Sequence, residues 1–256
     1  MARTFNGTTE YIQSGRSPVN NYNTSNFIPA CFSAWVYPTS ATGDVCIMGE
    51  TSTLANAGGR LMSSRSGNGQ LTWYPLASTS GSFGASGTLT LNAWQHVGLR
   101  CNNAGSWAQG FLNGVFLGNL GGGTFLNLPF GNSTAAFHVG ADKDGSSSYF
   151  FSGRIADAAM WTNIVLSTQE YVALAHGVRP GQLHPESLVI WWPLDWGSVP
   201  ALDLSWNKIN GTLHGTSLIT GPPLINAAPI FPGIAIPQSF VGPPPPVFNL
   251  MPQIVT

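Results

Sequence analysis

Charge is what this chain lacks most. Only 7% of its 256 residues are Asp, Glu, Lys or Arg, where an ordinary soluble protein has about a quarter. Its surface must therefore be made of neutral polar groups, chiefly Gly, Ser, Thr and Asn. Nine basic residues against ten acidic ones leave a net charge of -1, and no basic run exceeds one residue. That balance argues against nucleic acid and against anionic membranes as partners. A charge near zero also favours association over dispersal, which suits a protein packed into an assembly.

Cysteine is nearly as scarce. Cys31, Cys46 and Cys101 cannot all pair within one chain and show no C-x-x-C spacing, so buried free thiols are the expectation. No run of 18 apolar residues occurs, and the opening MARTFNGTTEYIQ has no apolar core of a secretory signal. The chain is expected to be made as a soluble, unprocessed protein.

Catalytic patterns are missing too. The five histidines, His96, His138, His176, His184 and His214, are scattered and none shares a motif with a Ser or Cys nucleophile. Gly121 to Gly123 lacks the Lys-Ser/Thr of a phosphate loop. Asp142 and Asp144 form the only i,i+2 acidic pair, and Lys143 between them with Gly145 following reads as a solvated turn. No enzyme is expected.

What the chain does contain is alternation. Short β-branched and aromatic runs, parted by Gly, Asn, Ser and Asp, recur at Glu10 to Gln13, Phe32 to Tyr37, Val45 to Glu50 and Leu71 to Pro75. They continue at Trp94 to Cys101, Gln109 to Leu117, Ala136 to Ala141 and Phe150 to Trp161, the spacing of an antiparallel sandwich. WAQGFLNGVFLG, Trp107 to Gly118, predicts a hairpin turning at Asn113-Gly114. LSTQEYVALAHG, Leu166 to Gly177, predicts one short helix, with Ser167 and Glu170 as a capping box and Gly177 closing it.

From about residue 221 the pattern breaks, with ten prolines in the final 36 residues, too many for a helix or a central strand. The expectation is a sandwich over residues 1–220 and an extended, Pro-rich, apolar arm over 221–256. The arm carries no charge after Gly221. An apolar segment of that length invites a covering partner, with Phe231, Ile234, Ile236, Phe240, Val247, Phe248, Leu250 and Met251 as its docking side chains.

Several segments together resemble the laminin G-like branch of the concanavalin A-like lectin/glucanase superfamily. FNGTTEYIQ (5–13) is similar to that family's opening strand, AWQHVGLRCNN (93–103) to its Trp-x-His-Val strand, and GFLNGVFLG to the hairpin that follows. Phe137 to Gly177 resembles its closing block of strand, loop, strand and short helix. Trp191 to Thr216 looks like a segment that precedes the opening strand in many relatives, whereas here it follows the helix. The resemblance implies an all-β, concanavalin A-like jelly-roll sandwich of two antiparallel sheets. This chain order is met mainly in bacteriophage and environmental sequences, which implies a viral structural protein.

The hydrolases of the family need a Glu-x-Asp-x-Glu arrangement of carboxyls, and no such triplet exists here. Many relatives bind Ca²⁺, which implies Asp142 and Asp144, with Asp157, as candidate ligands. Nine tryptophans invite a sugar-stacking reading. Trp35, Trp94, Trp161 and Trp191 lie in strand-like runs and read as core; Trp73, Tyr74, Trp107 and Trp206 lie nearer turns and are the candidate glycan platforms. Two functions are weighed. One is a non-enzymatic capsid decoration or accessory protein on a virion surface, held by its arm to other virion proteins and to copies of itself. The alternative is a carbohydrate-binding lectin module.

Overall fold

In the computed structural model of the chain, the described residues are 1–19, 29–40, 43–51, 58–63, 69–76, 79–102, 107–121, 136–142, 149–195, 197, 199–222 and 224. The docking residues of the arm, from Phe231 to Met251, lie outside them.

The strands run in chain order β1 (Ala2–Asn6), β2 (Tyr11–Ser14), β3 (Ala30–Pro38), β4 (Val45–Thr51), β5 (Gly58–Ser63), β6 (Leu71–Leu76) and β7 (Thr79–Ser82). There follow β8 (Gln95–Cys101), β9 (Trp107–Leu112), β10 (Val115–Gly121), β11 (Ala136–Val139) and β12 (Ser152–Thr162). Helix α1 (Thr168–Ala175) precedes β13 (Leu188–Trp192), β14 (Gly211–His214) and β15 (Leu218–Ile219). They form two antiparallel sheets, the sandwich that the alternation predicts and the jelly roll that the resemblance implies. One sheet has eight strands in the order β10-β9-β8-β3-β12-β1-β15, with β13 also paired to β12; the other has seven, β14-β2-β11-β4-β5-β6-β7.

Residues opposed across antiparallel strands share a face, so the register sorts side chains into layers. Leu213, Ile12, Val139, Met48, Leu61 and Trp73 lie in one cross-strand row and turn into the core, where they meet Phe32, Val36, Val97 and Ile155 of the eight-stranded sheet. The adjacent row, with Thr212, Gln13, His138, Gly49 and Tyr74, occupies the outer face.

Asn113 and Gly114 close the β9–β10 hairpin at φ 52° and 78°, the left-handed pair a two-residue turn needs. In α1, Ser167 Oγ accepts from the Glu170 N–H (3.2 Å) and the Glu170 carboxylate accepts from the Ser167 N–H (2.6 Å). Gly177, at φ 92°, donates to the Leu174 carbonyl while the Val178 N–H reaches Ala173, a Schellman ending. The helix lays Tyr171 and Leu174 over the outer face of the eight-stranded sheet. There Tyr171 stacks on Phe111 (ring centroids 4.1 Å, 7° between planes), and its hydroxyl donates to the Leu99 carbonyl at 2.6 Å.

β12 is unusual in having two successive neighbours on one side. Residues Ser152 to Ile155 pair with β1 and Ala158 to Trp161 with β13. Between them the register shifts against β3, and Asp157 takes φ 50°. The segment from β13 to β15 thus completes both sheets, β14 beside β2 and β15 beside β1. Thr4 and Ser217 join by hydroxyls at 2.7 Å. Leu224 packs with Ile219, Trp94 and Trp35 on the outer face of the eight-stranded sheet.

All three cysteines are buried and none is in a disulfide, and burial pushes the thiols of Cys31 and Cys101 up to about 12. Cys31 Sγ accepts from the Leu166 N–H at 3.3 Å and Cys101 Sγ lies 3.4 Å from the Ala30 carbonyl, so both thiols are structural. His96 is buried as well, its Nε2 2.8 Å from Ser33 Oγ, and burial lowers it to about 3. It stays neutral and structural at ordinary pH.

Candidate functional site

The outer face of the seven-stranded sheet gathers rings and neutral polar groups at its β14 end. β2 alternates, so Tyr11 and Gln13 face outward while Ile12 and Ser14 face the core. β14 does the same with Thr212 and His214 outward and Leu213 packed inward. Direct pairing of Tyr11 with His214 stacks their rings, with centroids 4.0 Å apart and planes 10° from parallel. Phe150 leans against Tyr11 at 6.2 Å and His138 at 6.5 Å.

Tyr11 and His138 are buried beneath this surface, whereas Gln13, Phe150 and His214 are partly exposed and Thr212 is exposed. The face offers a flat imidazole backed by a second ring, an amide and a hydroxyl. Such a set can stack on an apolar ring face and exchange hydrogen bonds with hydroxyls around its rim.

The expected glycan platforms are not brought together. Trp73 is fully buried in the core and tilts against Phe32 at 5.5 Å, so it is no platform. The reason is the strand's period: neighbours on β6 point to opposite faces, and the outer place goes to Tyr74. Tyr74 is itself 7% exposed, packed with Cys46 and Tyr149. Trp107 belongs to the other sheet, with Arg100 5.8 Å over its ring. Trp206 stands on the loop before β14, 62% exposed. Trp35 and Trp161 are core as expected, while Trp94 and Trp191 are partly exposed.

The acidic candidates are dispersed as well. Asp142, just beyond β11, is fully buried and so is not a solvated turn residue; Asp144 lies outside the described residues. Asp157 is on the other sheet, where Oδ1 lies 3.0 Å from Arg179 Nη2 and accepts from Trp191 Nε1 at 2.9 Å. Arg179 Nη2 also reaches Asp195 at 3.0 Å, and its guanidinium lies over the Trp191 ring. Burial pushes Asp157 up to about 7, against the pull of Arg179 and the Trp191 hydrogen bond. A carboxyl committed to a guanidinium is a poor place for a second cation. Among the described residues no three His, Cys, Asp or Glu side chains gather as a metal site; Asp144, one of the three ligands that the resemblance implied, is not among those residues.

Reading the sequence missed Tyr11, Gln13, His138, Phe150 and His214. The signal was present in the alternation of YIQS and GTLH. What it could not supply was the pairing of strands two hundred residues apart.

A family model described as the concanavalin A-like lectin/glucanases superfamily matches residues 6–170. No curated protein sequence matches the chain. Among solved structures, a candidate carbohydrate-binding protein from Bacteroides ovatus resembles it with a TM-score of 0.62 and 17% identity, over 85% of this chain and 59% of that one. The chain therefore spans less than two thirds of that protein's length. A heptameric SAP-like pentraxin from Limulus polyphemus gives 0.53 and 16%, over 70% and 84% of the two chains. Domain 4 of an extracellular arabinanase from Geobacillus stearothermophilus, in complex with arabinotriose, gives 0.52 and 18%, over 68% and 76%. At these identities the structures speak to the fold alone, and they agree with the family match, which covers more than half of the sequence: the chain belongs to the concanavalin A-like lectin/glucanase superfamily.

Proposed function

We propose that the chain is a non-catalytic carbohydrate-binding protein whose ligand lies on the outer face of the seven-stranded sheet, at His214. The observation that carries this reading is the stacked Tyr11–His214 pair with Gln13 and Thr212 beside it. A sugar has an apolar ring face and a hydroxylated rim. Binding it needs an aromatic plane and neutral donors and acceptors, with no long-range charge.

Similar folds solved as a carbohydrate-binding candidate and as an arabinotriose complex favour this reading. Fold does not dictate function; the residues of the site do. A non-catalytic role is consistent with the acidic residues: Asp157 and Asp195 share one guanidinium, Glu170 is part of a helix cap, and Asp203 is taken up by a turn. The virion-surface reading, with an arm holding the body to an assembly, rests on composition, on the resemblance in segment order and on residues outside the described ones. The carbohydrate reading has geometry in its favour.

The test is a glycan array probed with wild type, His214→Ala and Gln13→Ala. Wild type is expected to bind a defined subset of glycans, and His214→Ala to lose about tenfold in affinity or more. A wild type that binds no glycan, or a His214→Ala variant that binds as wild type does, sinks the proposal.

A further inference from the structure

The loop entering β14 is held more firmly than its length requires. Asp203 Oδ1 accepts from the N–H groups of Trp191 (2.9 Å) and Ser205 (2.8 Å), and Oδ2 from Ser205 Oγ (2.8 Å) and the Ile209 N–H (2.7 Å). Asn210 Oδ1 in turn accepts from the Asp203 N–H at 3.0 Å. Asn207 Nδ2 donates to the carbonyls of Val189 (2.7 Å) and Pro18 (3.0 Å). On this fixed loop stands Trp206, the only exposed tryptophan among the described residues. Core packing has no use for it there.

Its place is informative. The loop is tied to Pro18, beyond the Ser14 end of β2, and Ser14 pairs with Gly211, the first residue of β14. The Tyr11–His214 stack marks the other end of the same strand pair. From Gly211 to His214 the edge strand advances about 10 Å, with Thr212 exposed between.

We infer that Trp206 is a second aromatic contact for the ligand proposed at His214, and that the ligand is a linear chain of several sugars laid along β14 rather than one terminal sugar. This rests on the carbohydrate reading and sharpens it. An indole on a loop held by this many hydrogen bonds offers contact area with little ordering cost. Two contacts spanned by one ligand reinforce each other, since the second is made at high effective concentration. A short sugar reaches only one of them.

Calorimetric titration of the full chain with arabino-, xylo-, cello- and manno-oligosaccharides, from the single sugar to the hexamer, tests this. Wild type should tighten with length. Trp206→Ala should lose about tenfold on the hexamer and less than about twofold on the single sugar, while His214→Ala loses at every length. An unchanged melting temperature for Trp206→Ala excludes a folding effect. If Trp206→Ala matches wild type throughout, or loses equally at all lengths, the extended-ligand inference is overturned and the His214 site stands. If wild type binds no member of any series, the extended-ligand inference falls, and the glycan array alone decides the His214 site.

Discussion

Asp157 occupies the one point on β12 where its neighbour changes from β1 to β13, in a left-handed backbone conformation and almost wholly buried. Its carboxyl is held by Arg179 and Trp191, yet burial raises it from 3.8 to about 7. A raised acid binds more protons folded than unfolded. Its contribution to stability is therefore full below about 3.8 and is lost as pH rises through about 7. Asp157→Asn keeps an acceptor for the Trp191 indole and removes the titration. Urea unfolding across pH 4 to 8 should show a negative slope in wild type, worth on the order of a few kcal/mol in total, that is flattened in the variant. Parallel profiles would show that Arg179 alone sets the state of this site.

At the scale of single elements, the helix and the β9–β10 hairpin were the parts most legible in the sequence. Their signals are local: Ser167 with Glu170, Gly177, and Asn113-Gly114 each fix a turn from a few neighbouring residues. The capping box is open to a direct test. Ser167→Ala removes the acceptor for the Glu170 N–H and should cost about 1 kcal/mol. Because Tyr171 and Leu174 are part of a core cluster, the loss should appear in the global urea transition rather than as helix fraying. Burial of Glu170 is outweighed by its bonds to Ser167 and His184, which hold the carboxyl below its ordinary 4.5. That part of the stability is present above 4.5 and is lost on acidification. Less legible were β5 and β7, whose sequences GGRLMS and TSGS show no alternation of apolar residues. Among the glycan candidates Trp73 was the least legible, because Trp73 and Tyr74 are consecutive on a strand and only one of them can face outward.

For the molecule as a whole, the segment order that the resemblance implied and the closeness of Met1 to Gly221 explain each other. The stretch from β13 to β15 lies where a leading segment would, with Thr4 against Ser217 and Met1 packed against Gly221. Joining Gly221 to Met1 through a short linker and opening the chain at Pro185-Glu186, both exposed, should give a permutant that folds. Its stability should lie within about 1 kcal/mol of residues 1–221 in the native order. Failure of that permutant to unfold cooperatively would mean that the link from α1 to β13 matters beyond its length. The sandwich itself could be read from period-two runs, but the site could not. It depends on β2 meeting β14, and nothing local in YIQS announces GTLH as its neighbour.

The shared flank of β12 bears on biosynthesis. A chain made from its N-terminus onward presents β12 with β1 and β3 early, but the flank beside Ala158 to Trp161 waits for β13, and β2 waits for β14. Until those last strands emerge, both sheets carry open edges able to pair with any neighbouring nascent chain. Closure is therefore a late, long-range event, and folding yield should be governed by how quickly the final strands reach a body that is already waiting for them.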